Sequence, residues 1–452
     1  MPTTTFDRTK APRPGPIATI GFPKFITTAL AGGTPIYLVE NHAQPLVSIS
    51  LYLRGGSSSD TAATQGLASF TSELLTKGTT TRTATQIAEQ IDFVGGSLSA
   101  SSSWDSTTIS TAVLSRYIFT AIELLADVAL NPVFAAEELD RIRTQRLASI
   151  KHAKSDAGYL ADVVISRSIY KDHPYGFEPG GVEAVIAGLQ SDQLKTHYAS
   201  INSPKNAFFV VAGDVTEDEI VRLLSNAFAD WNGDAKPTKV IAPPKESTSM
   251  QVKLVGRQQA VQSALRVGHL AISRSDPDYV ACYVLNMILG GYFNSRINQN
   301  LREKNGFTYG ARSYFDARKQ TGAFIVSTEV RTEVTSAAIR EIGIELERIR
   351  TEAVTDEELS MVKQYIIGSF PLSIETPQQV ASRVASIVLF ALGADYYDVF
   401  REAVATLTAD DLLRVANTHL HPSKLSIAIS GDAKALETEL GVFGELEVVP
   451  IW

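Results

Sequence analysis

The chain repeats itself at about half its length. Residues 189–214 read LQSDQLKTHYASINSPKNAFFVVAGD and residues 407–432 read LTADDLLRVANTHLHPSKLSIAISGD. At a constant offset of 218, Leu189 meets Leu407, Asp192 meets Asp410 and Leu194 meets Leu412. Pro204 meets Pro422, and Gly213-Asp214 meets Gly431-Asp432. Each copy predicts a helix, a proline-containing turn, then an apolar strand ending at Gly-Asp. A second pair lies upstream at offset 220, where FAAEELDRIRTQRLASI (134–150) meets VTDEELSMVKQYIIGSF (354–370). Two ordered matches at nearly one offset mark a duplicated domain. A period this long is no solenoid unit, so the expectation is two homologous domains.

Between them, residues 231–250 (WNGDAKPTKVIAPPKESTSM) hold Pro237, Pro243 and Pro244 among polar residues. Prolines remove backbone donors and resist both helix and central strand. The expected division is a first domain over 1–230, a linker over 231–249 and a second domain over 250–452. A surface loop inside one domain is the alternative for the proline stretch.

In the first half Val47, Ile49, Leu51 and Leu53 alternate, which predicts a strand. Further strands are expected at 35–40, 97–103 and 106–114, and helices at about 65–76, 83–94, 118–130 and 135–151. The second half repeats the order, with strands at 250–256, 264–273, 308–315 and 322–331. Its helices are expected at 278–289, 293–304, 335–350 and 356–370. Strands and helices interleave without regular βαβ spacing. The fold class is therefore α+β: in each domain a mainly antiparallel or mixed sheet with helices packed on one face.

Composition excludes several functions. The formal net charge of −8 disfavours a nucleic-acid or anionic-membrane surface, so no nucleic-acid partner is expected. A single cysteine, Cys282, excludes an internal disulfide framework and a cysteine-rich metal site. No apolar run reaches the roughly 20 residues of a membrane-spanning helix. The start, Met1 to Lys24, has no apolar segment of a secretory signal. A cytoplasmic location is expected, or a periplasmic one if a signal has been removed.

The segment 66–79, GLASFTSELLTKGT, predicts an amphipathic helix. Leu67, Phe70, Leu74 and Leu75 form an apolar stripe, and Ser69, Ser72 and Glu73 share a polar face. Here the chain resembles the M16 (pitrilysin-like) metallopeptidases, especially the half-length chains related to the mitochondrial processing peptidase. Their pattern is G-x-x-H-F-x-E-H-x-x-x-x-G-T, and Gly66, Phe70, Gly78 and Thr79 match it. The metal residues do not. The resemblance sets the first zinc histidine on Ser69, the catalytic glutamate on Ser72 and the second histidine on Glu73. The distal zinc glutamate falls at about Ser149. Zinc needs several borderline-soft ligands, and the peptidase reaction needs a carboxylate base beside bound water. Two serines and one carboxylate supply neither, so this chain alone is expected to bind no metal and to lack zinc peptidase activity.

The second half departs less. Residues 289–314 read LGGYFNSRINQNLREKNGFTYGARSY. They resemble the family's G-x-x-x-S-R-L-x-x-x-L-R-x-x-x-G-x-x-Y, with Ile297 in place of leucine. The substrate-holding arginine and tyrosine of that pattern fall on Arg302 and Tyr309. Arginine offers a rigid fork of donors and tyrosine an O–H, so the pair can orient peptide carbonyls. The resemblance thus implies a non-catalytic subunit of a heterodimeric zinc peptidase with an LuxS/MPP-like fold. Its expected partner is an HxxEH-bearing chain of similar length that holds the zinc, the two enclosing a chamber for unfolded or extended peptide. A homodimer is possible where that partner is absent. The alternative is an assembly or scaffold subunit without proteolysis, like the family's core proteins of respiratory complexes.

Overall fold

The computed structural model describes residues 20–233 and 241–451. The expectations for residues 1–19 and for linker residues 234–240 lie outside them.

In the first half the chain runs β1 (Ile26–Ala29), β2 (Pro35–Glu40), β3 (Leu46–Arg54), α1 (Leu67–Leu74), α2 (Ala84–Phe93), β4 (Ser97–Ser102) and β5 (Ser106–Leu114). It continues through α3 (Ile118–Leu130), α4 (Ala136–Ala153), α5 (Ala157–Tyr170), α6 (Glu183–Gly188), α7 (Ser191–Ile201), β6 (Ala207–Gly213) and α8 (Glu217–Ala227). The second half runs β7 (Gln251–Gly256), β8 (Gln262–Ala271), α9 (Tyr279–Asn286), α10 (Arg296–Asn298), β9 (Ala311–Ala317) and β10 (Gly322–Arg331). It ends with α11 (Thr335–Thr351), α12 (Asp356–Ser369), α13 (Pro377–Leu389), α14 (Tyr396–Thr406), α15 (Ala409–His419), β11 (Ser426–Gly431), α16 (Ala433–Leu440) and β12 (Glu445–Val449).

Two six-stranded sheets result, in the orders β1-β2-β6-β3-β5-β4 and β12-β7-β11-β8-β10-β9. The repeated helix–turn–strand supplies a central strand to each: β6 lies between β2 and β3, and β11 between β7 and β8. Those two strands are parallel to β2 and β7 and antiparallel to β3 and β8, so both sheets are mixed. The α+β reading with two homologous sheet-and-helix units therefore holds. Edge strands β4 and β9 occupy equivalent places, each with one side lacking a strand partner among the described residues.

On one face of each sheet lies the half's own helical layer. Ile49, Leu51 and Phe209 meet Phe70, Leu74, Leu125 and Leu194 in the first core. Leu265, Phe324 and Ile429 meet Leu285, Ile339 and Leu412 in the second. The opposite faces are covered by exchange. Helix α5, from the first half, lays Leu160, Val164, Ile165 and Ile169 on Val255, Ala323, Ile325 and Ala428 of the second sheet. Helix α13, from the second half, lays Val380, Ala381, Val384 and Ala385 on Phe208, Val210 and Ala212 of the first. The two helices sit at equivalent places in the repeat, so each half lends one helix to the other. Arg266 of β8 pins α5 through Asp162 at 2.6 Å.

A clasp completes the junction. Arg318, in the β9–β10 turn, lies 3.9 Å from the Trp104 ring and under 5 Å from those of Tyr170 and Tyr175. Its Nη1 donates to the Tyr175 carbonyl at 2.9 Å, and Asp316 holds its other side. A guanidinium among three aromatic faces gains from each ring quadrupole while the carboxylate supplies its counter-charge.

Candidate functional site

Two corners bear on function, one in each half. In the first, α1 begins at Gly66, whose φ of +90 suits glycine alone. A Cβ there would lie 2.4 Å from Gly181 Cα, so glycine packs on glycine and brings the 180–181 backbone against the helix start. Asp60 closes the helix end by accepting from the Gly66 and Ala68 amides at 2.9 and 3.3 Å. Burial raises that carboxyl to about 7, against the pull of those two donors.

The apolar stripe of α1 packs inward as expected, with Leu67, Phe70, Leu74 and Leu75 all buried. The polar positions separate. Ser72 is buried, and its Oγ donates to the Ser69 carbonyl at 2.8 Å. Ser69 and Glu73, one turn apart, both reach Arg146 of α4. Arg146 Nη1 donates to Ser69 Oγ at 3.2 Å and to the Gly180 carbonyl at 3.0 Å. Its Nη2 donates to Glu73 Oε2. Ser149, one turn further along α4, is exposed and does not join the set. Arg146 was not among the residues singled out from sequence, because the family pattern points to Ser149.

A zinc ion does not fit this corner. Structural and catalytic zinc takes imidazole, thiolate or carboxylate ligands at about 2.0–2.3 Å. Here the one carboxylate is engaged by a guanidinium, and the remaining side-chain oxygens are serine hydroxyls. Among the described residues, the one His/Cys/Asp/Glu group close enough to share an ion is Asp276, Asp278 and His419. That group is already an ion-pair cluster: Asp278 takes both Nη atoms of Arg414 and Nε2 of His419. These partners lower its carboxyl to about 2.

In the second corner, α9 passes through wide π-type turns at Met287–Gly291, and α10 continues through similar turns at Gln299–Lys304. Arg296 is buried and bidentate to Glu358 of α12, at 2.7 and 2.8 Å. Glu358 also completes the Thr355 capping box of α12, so one carboxylate fixes both elements. The arginine holds that carboxyl near 2.

From this fixed base Arg302 projects onto Phe293, with its guanidinium 4.7 Å from the ring centroid and Glu303 at 3.6 Å. Tyr309 stands 95% exposed. The expected strand start near Thr308 is displaced to Ala311. Thr328 Oγ1 reaches the Gly310 carbonyl at 3.0 Å and Thr308 Oγ1 at 3.1 Å, holding 308–310 as a turn that aims the phenol outward. Arg302 and Tyr309 do not bond to each other. Tyr309 and Phe293 line one cavity of about 660 Å³, and Arg302 lies behind it, stacked on Phe293. Gln262, Arg266, Arg312 and Glu329 also line it, beside edge strand β9. A half-buried guanidinium, an exposed phenol and the edge of β9 can together hold the backbone of an extended peptide. Arg312 and Glu329 were not read from sequence; only the pairing of β9 with β10 reveals that they share this wall.

Two family descriptions match the chain: "Insulinase (Peptidase family M16)" over residues 36–177 and "Peptidase M16 inactive domain" over residues 188–366. An uncharacterized zinc protease of Bacillus subtilis is 25% identical over 351 residues, 78% of this chain and 85% of its own. A non-peptidase homolog of Helicobacter pylori is 24% identical over 88% of this chain and 92% of its own. The crystal structure of a peptidase M16 inactive domain from Pseudomonas fluorescens aligns with a TM-score of 0.85 at 25% identity, covering 90% of this chain and 98% of that one. A Helicobacter pylori protease shares the fold, with a TM-score of 0.84 over 90% and 99%.

Proposed function

Because the chain belongs to the M16 peptidase family, we propose that it serves there as a non-catalytic subunit, which holds peptide for a zinc-bearing partner to cut. Residues 1–230 and 250–452 are then its two homologous domains, and the partner is an HxxEH-bearing chain of similar length. The observation that carries this reading is the contrast between the corners. The first offers one carboxylate, already held by Arg146, while the second keeps an exposed phenol on a 660 Å³ cavity and a half-buried guanidinium stacked on the Phe293 that lines it.

In this reading an extended peptide runs along the cavity wall of the second sheet. Arg302 and Tyr309 donate to its backbone carbonyls, and Arg302 is held in place by stacking on Phe293. Hydrolysis belongs to the partner. This chain contributes orientation, half of the enclosure and the exclusion of folded substrates.

The test is co-purification of the tagged chain from its own cells, with zinc-dependent peptide cleavage assayed in the eluate. Recovery of an HxxEH chain, with cleavage that falls in Arg302→Ala, supports the proposal. Recovery of this chain alone and inactive, or with a non-peptidase assembly, points instead to a scaffold role.

A further inference from the structure

We infer that the guanidinium of Arg146 stands in for the metal ion of the first corner, closing it as a built-in cation and barring zinc from it. Three acceptors converge on one guanidinium: Ser69 Oγ, Glu73 Oε2 and the Gly180 carbonyl. Two of them are the α1 positions at which the family pattern carries its zinc histidines. The third is delivered by the Gly66–Gly181 contact, which leaves no room for a side chain at residue 66. The cation comes from α4, the helix from which the distal ligand of the pattern would reach.

The corner is thus tied across α1, α4 and the 180–181 turn by one side chain, as a metal would tie it. Charge supports the assignment. Glu73 supplies the one carboxylate on this face of α1, and a guanidinium already lies against it. A divalent ion would have to displace that partner while sitting beside a positive charge it cannot neutralise. Serine hydroxyls would not repay the displacement, since zinc selects imidazole, thiolate and carboxylate. The repeat supplies a control. At offset 220 Arg146 corresponds to Ile366 of α12, which is buried in the second apolar core. The arginine is therefore no requirement of this helix pairing. It belongs to the corner in which the family pattern calls for a metal.

The experiment restores the ligands in the full-length chain with and without the arginine. One variant carries Ser69→His, Glu73→His and Ser149→Glu; a second adds Arg146→Ala. Zinc chloride is titrated into each by calorimetry, and retained zinc is measured after gel filtration. At least tenfold tighter zinc binding in the second variant is expected, and equal binding in both would overturn the inference. If neither binds zinc, a metal-free measurement decides. Urea midpoints are compared for the wild-type chain, Arg146→Ala, Glu73→Gln and the double variant. The double variant should be no less stable than Arg146→Ala alone, because the Glu73 contact is already lost with the arginine. Fully additive losses would overturn the claim that this cation closes the corner.

Discussion

In the first half the arginine sits on the long helix, Arg146 of α4, and its acid on the first helix, Glu73 of α1. In the second half the polarity is reversed: Glu358 sits on α12, the counterpart of α4, and Arg296 on the segment that faces it. The acid of the second pair has a counterpart in the first, since the shared Glu-Glu-Leu places Glu138 opposite Glu358. Yet Glu138 turns to Arg141 on its own helix, at 2.7 Å. One repeated residue thus does two jobs, set by what faces it. The first corner is closed from α4 and offers no free donor pair to a ligand cavity. The second is closed from beneath, which leaves Tyr309 at the surface and Arg302 half-buried against Phe293. Duplication preserved the frame and let the two corners diverge in chemistry.

The largest expected effect breaks this comparison at its functional end. If the chain works as proposed beside an HxxEH partner, Arg302→Ala should lower kcat/KM for peptide cleavage by that complex roughly a hundredfold, by analogy with loss of one transition-state donor. The urea midpoint of the chain should stay within error, because the side-chain partners of Arg302 among the described residues are Phe293 and Glu303 at the surface. A large loss of stability with unchanged cleavage would make the residue structural.

Next comes the buried pair. Arg296→Met should destabilise the chain by about 2–3 kcal/mol in a chemical denaturation series, since it leaves Glu358 without its cation. Arg296 holds the Glu358 carboxyl near 2, below its unfolded value of 4.5. The stabilisation is therefore present above pH 4.5 and is lost as pH falls through about 2. The acid limb attributable to this pair should vanish in the variant.

Arg146→Ala should cost less, about 1–2 kcal/mol, because Glu73 is more than a third exposed and water screens the pair. Added chelator should move neither the wild-type nor the variant midpoint. A chelator-dependent midpoint would contradict closure by arginine.

The smallest effect is a pH slope at the start of α1. Asp60 is raised to about 7 by burial. A group raised in the folded state stabilises most below its unfolded value, here 3.8, and loses that contribution as pH rises through 7. Stability followed by denaturation between pH 5 and 8 should fall less steeply in Asp60→Asn.

Much of this molecule was legible in its sequence because the signals were local. Alternating Val47–Leu53, the helix–turn–strand repeat and the strands at 106–114 and 322–331 depend on neighbouring residues, and these elements appear where the patterns put them. The apolar stripe of α1 was equally readable. The destinations of α5 and α13 were not. Leu160, Val164, Ile165 and Ile169 announce a helix with one apolar face, but nothing nearby says that the face covers a sheet built from residues 251–449. Arg146 escaped for a related reason. A long side chain one turn before the expected ligand position looks like solvated surface until the 180–181 turn arrives beside it. Arg302 and Tyr309 were visible as a motif, whereas their separation across Phe293 needed the π-type turns that set the helix phase.

The exchange of α5 and α13 also sets a timetable for synthesis. The strands of the first sheet are complete once residue 213 has emerged, but Phe208 and Val210 on its outer face wait for α13, which ends at Leu389. At ribosomal speeds of roughly 5–20 residues per second, that interval lasts on the order of ten to thirty seconds. During it a nascent chain carries a finished sheet with one greasy side bare and an unclaimed amphipathic α5. A chaperone has that window in which to act, and premature release of the chain would leave a half-molecule unable to cover itself.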